Sequence, residues 1–380
     1  MKAILKTLLF LLTVVLLCQC KKDPDPEPEV TIPDNNFLNA LIELGVDTNV
    51  DGIISPAEAE VITSLDVSKD SISDMTGIEA FVNLDTLNCR ENQLTTLDVS
   101  NCTALIDLNC ELNQLTTLDV SNCTALTKVD CYYNQISNLD VSNNTVLIKI
   151  TCYSNQLTSL DVSQNSYLVR LDCRNNKLTS LDVSNNTELL ALFCRENQIT
   201  SLDVSNNPAL SSLVCEYNYL TSLDVSKNAA LIALWCSGNQ LTSLDVSNLF
   251  NLQILFCGWN QLTNLDISNN LSLEALYCVH NSLTTLDVSH NKDLQILQCY
   301  SNYLSSLNVS NSTILDILHC GGNQITTLDI SNNTVLERIK IKSMPSLYQV
   351  CVWEMPFPPD GVSVDTTDSP NVYFTTDCSK

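Results

Sequence analysis

The run Asp47-Thr-Asn49-Val-Asp51-Gly52-Ile53-Ile54-Ser55-Pro56-Ala57-Glu58 puts oxygen-bearing side chains at its first, third, fifth, ninth and twelfth positions. A hard cation such as Ca²⁺ takes about six to eight oxygens. The carboxylates of Asp47, Asp51 and Glu58, the Asn49 amide, the Ser55 hydroxyl and the main-chain carbonyl of Ile53 supply such a set, and Gly52 permits the sharp turn between them. The spacing predicts a structural Ca²⁺ site; the residues leave open an acidic helix-capping loop that holds no metal. Thiols form the second candidate chemistry. Twelve cysteines recur from Cys89 to Cys320, each between apolar neighbours and without the close C-x-x-C pairs of a zinc site. They read as small buried hydrophobes with free thiols. The three histidines, His280, His290 and His319, fall into no Ser-His-Asp order, and no nucleophile motif or phosphate loop accompanies them. An enzyme is not expected.

These groups sit in a chain that repeats. Leu84, Leu105, Leu126, Leu147, Leu168, Leu189, Leu210, Leu231, Leu252, Leu273, Leu294 and Leu315 open successive 21-residue units of the form L-x-x-L-x-C-x-x-N-x-L-x-x-L-D-V-S-x-N-x-x. One unit buries too little apolar surface to offset the entropy of ordering it, so units must stack. The pattern resembles the leucine-rich repeat, in its 21-residue bacterial class, and internalin-like surface proteins in particular. That resemblance implies a repeat solenoid: a curved stack of parallel β-strands with short turns instead of long helices, a small helical N-terminal cap and a β-rich C-terminal cap. It also implies that the third, fifth, seventh and eighth residues of each unit project from the concave face.

Within the unit, Asn at the ninth position, from Asn92 to Asn323, is expected to satisfy turn backbone groups. Asp recurs eleven times between Asp98 and Asp329, with Asn308 the exception, and is expected to bond local Ser, Thr or backbone donors. Ten aromatics occupy the four concave columns: Tyr132, Tyr133, Tyr153, Phe193, Tyr217, Trp235, Phe256, Trp259, Tyr277 and Tyr300. Displayed in a row they suit recognition, since each offers much apolar area with little rotamer entropy to lose. Charged residues from Arg90 to Arg195 mark the N-terminal half of the same face, where they could steer a charged partner. The function expected is non-catalytic protein recognition or adhesion at a cell surface; the alternative is capture of a surface glycan by the aromatic row. A formal net charge of −25 argues against nucleic acid. A monomer is expected.

The ends are distinct. Residues 1–20 hold Lys2, Lys6 and a short apolar run ending at Cys18-Gln-Cys20, which resembles a lipoprotein signal and implies lipidation at Cys20, the only membrane attachment expected, with plain secretion as the alternative. Localisation at the outer membrane or cell surface follows. Residues 21–32 form an acidic, Pro-rich linker, 33–63 the helical cap, 64–335 the solenoid with a degenerate first repeat, and 336–380 the C-terminal cap. Phe37, Leu41 and Ile42 lie on one helical face before the candidate metal loop and Pro56 opens a helix after it, so the segment resembles an EF-hand or dockerin-like loop. In an exported chain Cys351 and Cys378 suggest a disulfide pinning the C-terminal cap, and Cys102 and Cys123 leave a second bridge open.

Overall fold

The protein is described by a computed structural model over residues 28–378. The apolar leader, Cys20 with its expected lipid, and the start of the acidic linker lie outside the described residues. Among the described residues no helix is long and apolar enough to cross a membrane.

Two short helices open the fold, α1 (Asn35–Glu43) and α2 (Pro56–Glu60). Asp34 caps α1, its Oδ1 accepting from the Asn36 and Phe37 amides, and its Oδ2 accepts from Ser73 and Asp74 in the first coil. One carboxylate therefore both starts the helix and pins the cap to the stack. Phe37 and Leu41 of α1 are fully buried, covering the apolar end that an open solenoid would expose.

Strand β1 (Ser64–Asp66) begins the stack, and three-residue strands follow every 21 residues from β2 (Thr86–Asn88) to β13 (Ile317–His319). All neighbours pair in parallel and in register. Each strand covers the third to fifth positions of its unit, with the fourth, apolar residue buried. The first leucine and the ladder cysteine of every unit are also fully buried, so one continuous core runs the length of the molecule. Asn at the ninth position stitches coils together. The Asn197 Oδ1 accepts from the Leu178 amide of the preceding coil, and its Nδ2 donates to the carbonyls of Cys173 and Cys194. The Asp column behaves as expected: Asp182 Oδ1, for example, accepts from the Ser184 amide.

The sheet runs past the point where the sequence pattern fails. Ile341 fills the cysteine position, fully buried, and strands β15 (Arg338–Lys340) and β17 (Ser363–Asp365) extend the sheet to fifteen strands. Strands β14 (Thr327–Asp329), β16 (Gln349–Cys351) and β18 (Tyr373–Thr375) form a second, three-stranded parallel sheet beside it. Cys351 and Cys378 are joined by a disulfide, their Cα atoms 5.6 Å apart. Cys102 and Cys123 are separate buried thiols whose Sγ atoms approach the carbonyls of Ile78 and Val99.

Candidate ligand-binding face

Because strand side chains alternate, burying the fourth residue turns the third and fifth toward the opposite face of the sheet. Parallel registry then lines the fifth residues up across coils: Phe193, Val214, Trp235, Phe256, Tyr277, Gln298, His319, Lys340 and Asp365 are consecutive partners. The Trp235 and Phe256 rings lie 4.7 Å apart and the Phe256 and Tyr277 rings stack at 4.0 Å. The other predicted aromatics are on the same face in separate groups. Tyr132 stacks on Tyr153 at 4.3 Å with Tyr133 edge-on to both, and Trp259 stacks on His280 at 3.6 Å with Tyr300 edge-on to the imidazole.

Residues at the eighth position form the rim of the face. Their backbone is left-handed in coil after coil, at Glu91, Leu112, Tyr133, Tyr217, Trp259 and His280 among others. The cause is cooperative: the eighth amide donates to the seventh carbonyl of the next coil, as Trp259 does to Val279 at 2.8 Å. Tyr217 and Trp259 are consequently about half exposed, 47% and 53%. Gly238 occupies this position where the Tyr217 ring folds over it; a Cβ there would meet the ring at 2.6 Å.

The charges of the N-terminal half are largely spent on one another. Lys128 lies between Asp107 and Asp130 at 3.1 and 3.0 Å, Lys149 is 3.0 Å from Asp130, Arg174 grips Asp172 through two bonds, and Arg195 contacts Glu196 and Glu216. The steering charge expected there is mostly cancelled at contact distance. Arginines instead cover rings, Arg170 over Phe193 at 4.4 Å and Arg195 over Tyr217 at 5.0 Å. A depression of about 210 Å³ lies between Arg174, Phe193, Arg195, Val214 and Trp235. The Trp235 Nε1 is buried and donates to nothing. A second, larger hollow of about 360 Å³ is formed by Gln298, Tyr300, His319, Gly321, Lys340 and Lys342. Counting the columns on past Leu336 would have found its cations; loss of the cysteine signal at Ile341 hid them.

The loop Asp47–Glu58 is closed by its own donors. Asp47 accepts from the amides of Val50, Asp51 and Gly52, while Glu58 accepts from the amide and hydroxyl of both Thr48 and Ser55. Hydrogen bonds from Ser55 and Thr48 hold the Glu58 carboxyl at about 2. Ser55 and Glu58 also form a capping box on α2. Gly52 takes φ +84° with open space where a Cβ would be. Asn49 bonds Asp51, and the Ile53 amide donates to Asp51. The donor chemistry fits a hard cation, but the carboxylates of Asp47, Asp51 and Glu58 are held by separate donors and are not gathered within 4.8 Å. The ladder thiols are chemically quiet: burial pushes Cys89, Cys131, Cys278 and Cys320 up to about 12.

No family model matches the chain. It is 36% identical to the functional domain of InlJ from Listeria monocytogenes, a structure described as including a cysteine ladder, over 84% of this chain and 75% of that one, with a TM-score of 0.71. Internalin J of the same species is 41% identical over 71 residues, 19% of this chain and 8% of that protein's length. The leucine-rich-repeat protein LIC12759 of Leptospira interrogans shares the fold, at 24% identity over 77% of this chain and 81% of that chain, with a TM-score of 0.69.

Proposed function

The chain belongs to the internalin-type leucine-rich-repeat family, and from that premise we propose that its concave face binds a protein ligand at the outside of a bacterial cell, without catalysis. The observation that carries the reading is the in-register row Trp235–Phe256–Tyr277. Stacked rings on an open sheet face leave apolar area for a partner to cover. The unpartnered Nε1 of Trp235, within the row, supports it, because a buried donor without an acceptor is stabilised when a ligand oxygen arrives. Export and attachment through a lipid at Cys20 complete the proposal, with the acidic linker holding the solenoid off the membrane.

The test is binding of the chain from Asp23 onward to surface-protein extracts and to a glycan array, beside Trp235→Ala/Phe256→Ala. The expected result is a protein ligand whose affinity falls at least about a hundredfold in the variant, as for a central aromatic pair. Glycan binding lost in the variant would replace the protein reading with the capture reading, and binding untouched by the variant would move the site off the row.

We also propose that the Asp47–Glu58 loop takes Ca²⁺ as a structural ion, through Asp47, Asn49, Asp51, Ser55, Glu58 and the Ile53 carbonyl. The ion would exchange the loop's internal donors for its own charge and so stiffen the cap. An ion that binds only the folded cap adds about 2.7 kcal/mol at a hundredfold excess over its Kd. Calcium should therefore raise the thermal midpoint by several degrees and excess chelator reverse it; a midpoint indifferent to both leaves the loop a helix cap and nothing more.

A further inference from the structure

Arg338, Lys340 and Lys342 occupy the third, fifth and seventh columns of the coil after the ladder ends, on the same face as the aromatic row. None of the three makes an ion pair within 4.0 Å among the described residues, in a chain whose formal charge is −25. The N-terminal cations of this face, by contrast, are mostly neutralised by carboxylates of the same or the adjacent coil. Around the hollow, Gln298 and Tyr300 form one wall, Lys340 and Lys342 the other, and His319 the floor, with its Nε2 buried and without a hydrogen-bond partner. Gly321 lets the wall close in: a Cβ there would meet the Lys342 carbonyl oxygen at 2.5 Å. The carboxylate on the next strand, Asp365, accepts from the Thr367 amide and makes no contact within 4.0 Å with either lysine, although their charge, after the Thr367 hydrogen bonds, helps hold its carboxyl below the usual range. The hollow is thus a concave, cationic pocket continuous with the fifth-column row through Gln298 and His319.

We propose that this pocket receives a carboxylate of an acidic peptide segment, fixing the direction in which a protein ligand lies along the aromatic row. The proposal rests on the protein-binding reading of that row. Two lysines and an arginine outnumber the one neighbouring carboxylate, Asp365, and so leave net positive charge, and the imidazole nitrogen supplies a directional partner. Ile254, Ile296 and Ile317 in the neighbouring third column offer aliphatic surface. That suits apolar side chains flanking the acid and leaves sugar hydroxyls unsatisfied.

His319 is the reporter. Burial, then Lys340, Arg338 and Lys342, push its imidazole down to about 4, against a smaller upward pull from Asp365. A carboxylate held in the pocket would pull it up. The experiment follows the His319 ring resonances of the whole chain during titration with acetyl-Glu-Asp-Glu-amide, its Gln-Asn-Gln counterpart and a sulfated disaccharide. The expected result is a saturable shift with the acidic tripeptide alone, weakened at least about tenfold in Lys340→Gln/Lys342→Gln and by raised salt. Equal response to the neutral tripeptide, or an undiminished response in the variant, overturns the site; response to the sulfated sugar alone overturns the peptide assignment. The tripeptide reads only this pocket, so Trp235→Ala/Phe256→Ala leaves its response intact even where the reading of the row fails.

Discussion

Raised from neutral pH, the protein is expected to unfold cooperatively at about pH 10 to 11, within the titration range of its buried thiols. Among the described residues fourteen free thiols are buried, and burial raises every one of them above the ordinary 9.0. A group whose folded pKa is raised stabilises the fold below its unfolded pKa and loses that contribution as pH climbs toward the folded value. The window therefore opens near 9 and extends to about 12, where Cys89 and Cys131 lie. Above pH 9 each thiol ionises only in the unfolded chain, at about 1.4 kcal/mol per pH unit. Fourteen acting together remove on the order of 20 kcal/mol by pH 10, comparable with the whole stability of a chain this long at about 0.05–0.15 kcal/mol per residue. Far-ultraviolet circular dichroism against pH reads the transition, with thiolate absorbance rising in step. Below it, a pKa of about 12 instead of 9.0 leaves about a thousandfold less thiolate, so the folded ladder resists alkylation. Ladder thiols that react at the rate of a free cysteine at pH 8, or a transition unchanged by replacing several of them with alanine, would refute this account.

The ladder was legible in the sequence because its residue type and its burial are the same fact: a small apolar side chain every 21 residues, always two residues after the buried aliphatic of the strand. The strands and the concave columns were legible for the same reason. The rim was not. Its left-handed backbone is held by amide-to-carbonyl bonds between coils, and its occupants, such as Leu112, Tyr133 and Trp259, carry no left-handed propensity of their own. Charge was misjudged because pairing depends on which residues become neighbours across coils. Lys128 and Asp107 are 21 positions apart and touching. At the loop, Ser55 and Glu58 satisfy two patterns at once, a ligand spacing and a capping box, and the structure displays the second. Spacing alone favours the metal, and the capping box hid behind it because it asks for the same Ser-x-x-Glu.

Two asparagine columns test how far identical residues share a role. Asn197→Ala is expected to cost about 3 kcal/mol, because it removes the one acceptor of the buried Leu178 amide together with two donors to buried carbonyls. Asn197→Asp should cost more: the acid still accepts from Leu178 but turns an oxygen toward the Cys173 and Cys194 carbonyls and buries a charge. Asn207, ten residues on, is buried more completely still, yet differently used. Its Nδ2 donates to the Val183 and Asn186 carbonyls, while its Oδ1 has no partner. Replacing Asn207 orphans no donor. The repeats themselves argue the point, since Asn207's column also holds Cys102, Cys123, Leu249 and Ser312, whereas Asn197's column is asparagine in all twelve units. Urea titrations of Asn197→Ala and Asn207→Leu should therefore separate, the first with a clearly lowered midpoint and the second close to the parent. Equal losses would mean that the donor bonds, common to both columns, set the cost, and that the Leu178 amide finds water when its asparagine is gone.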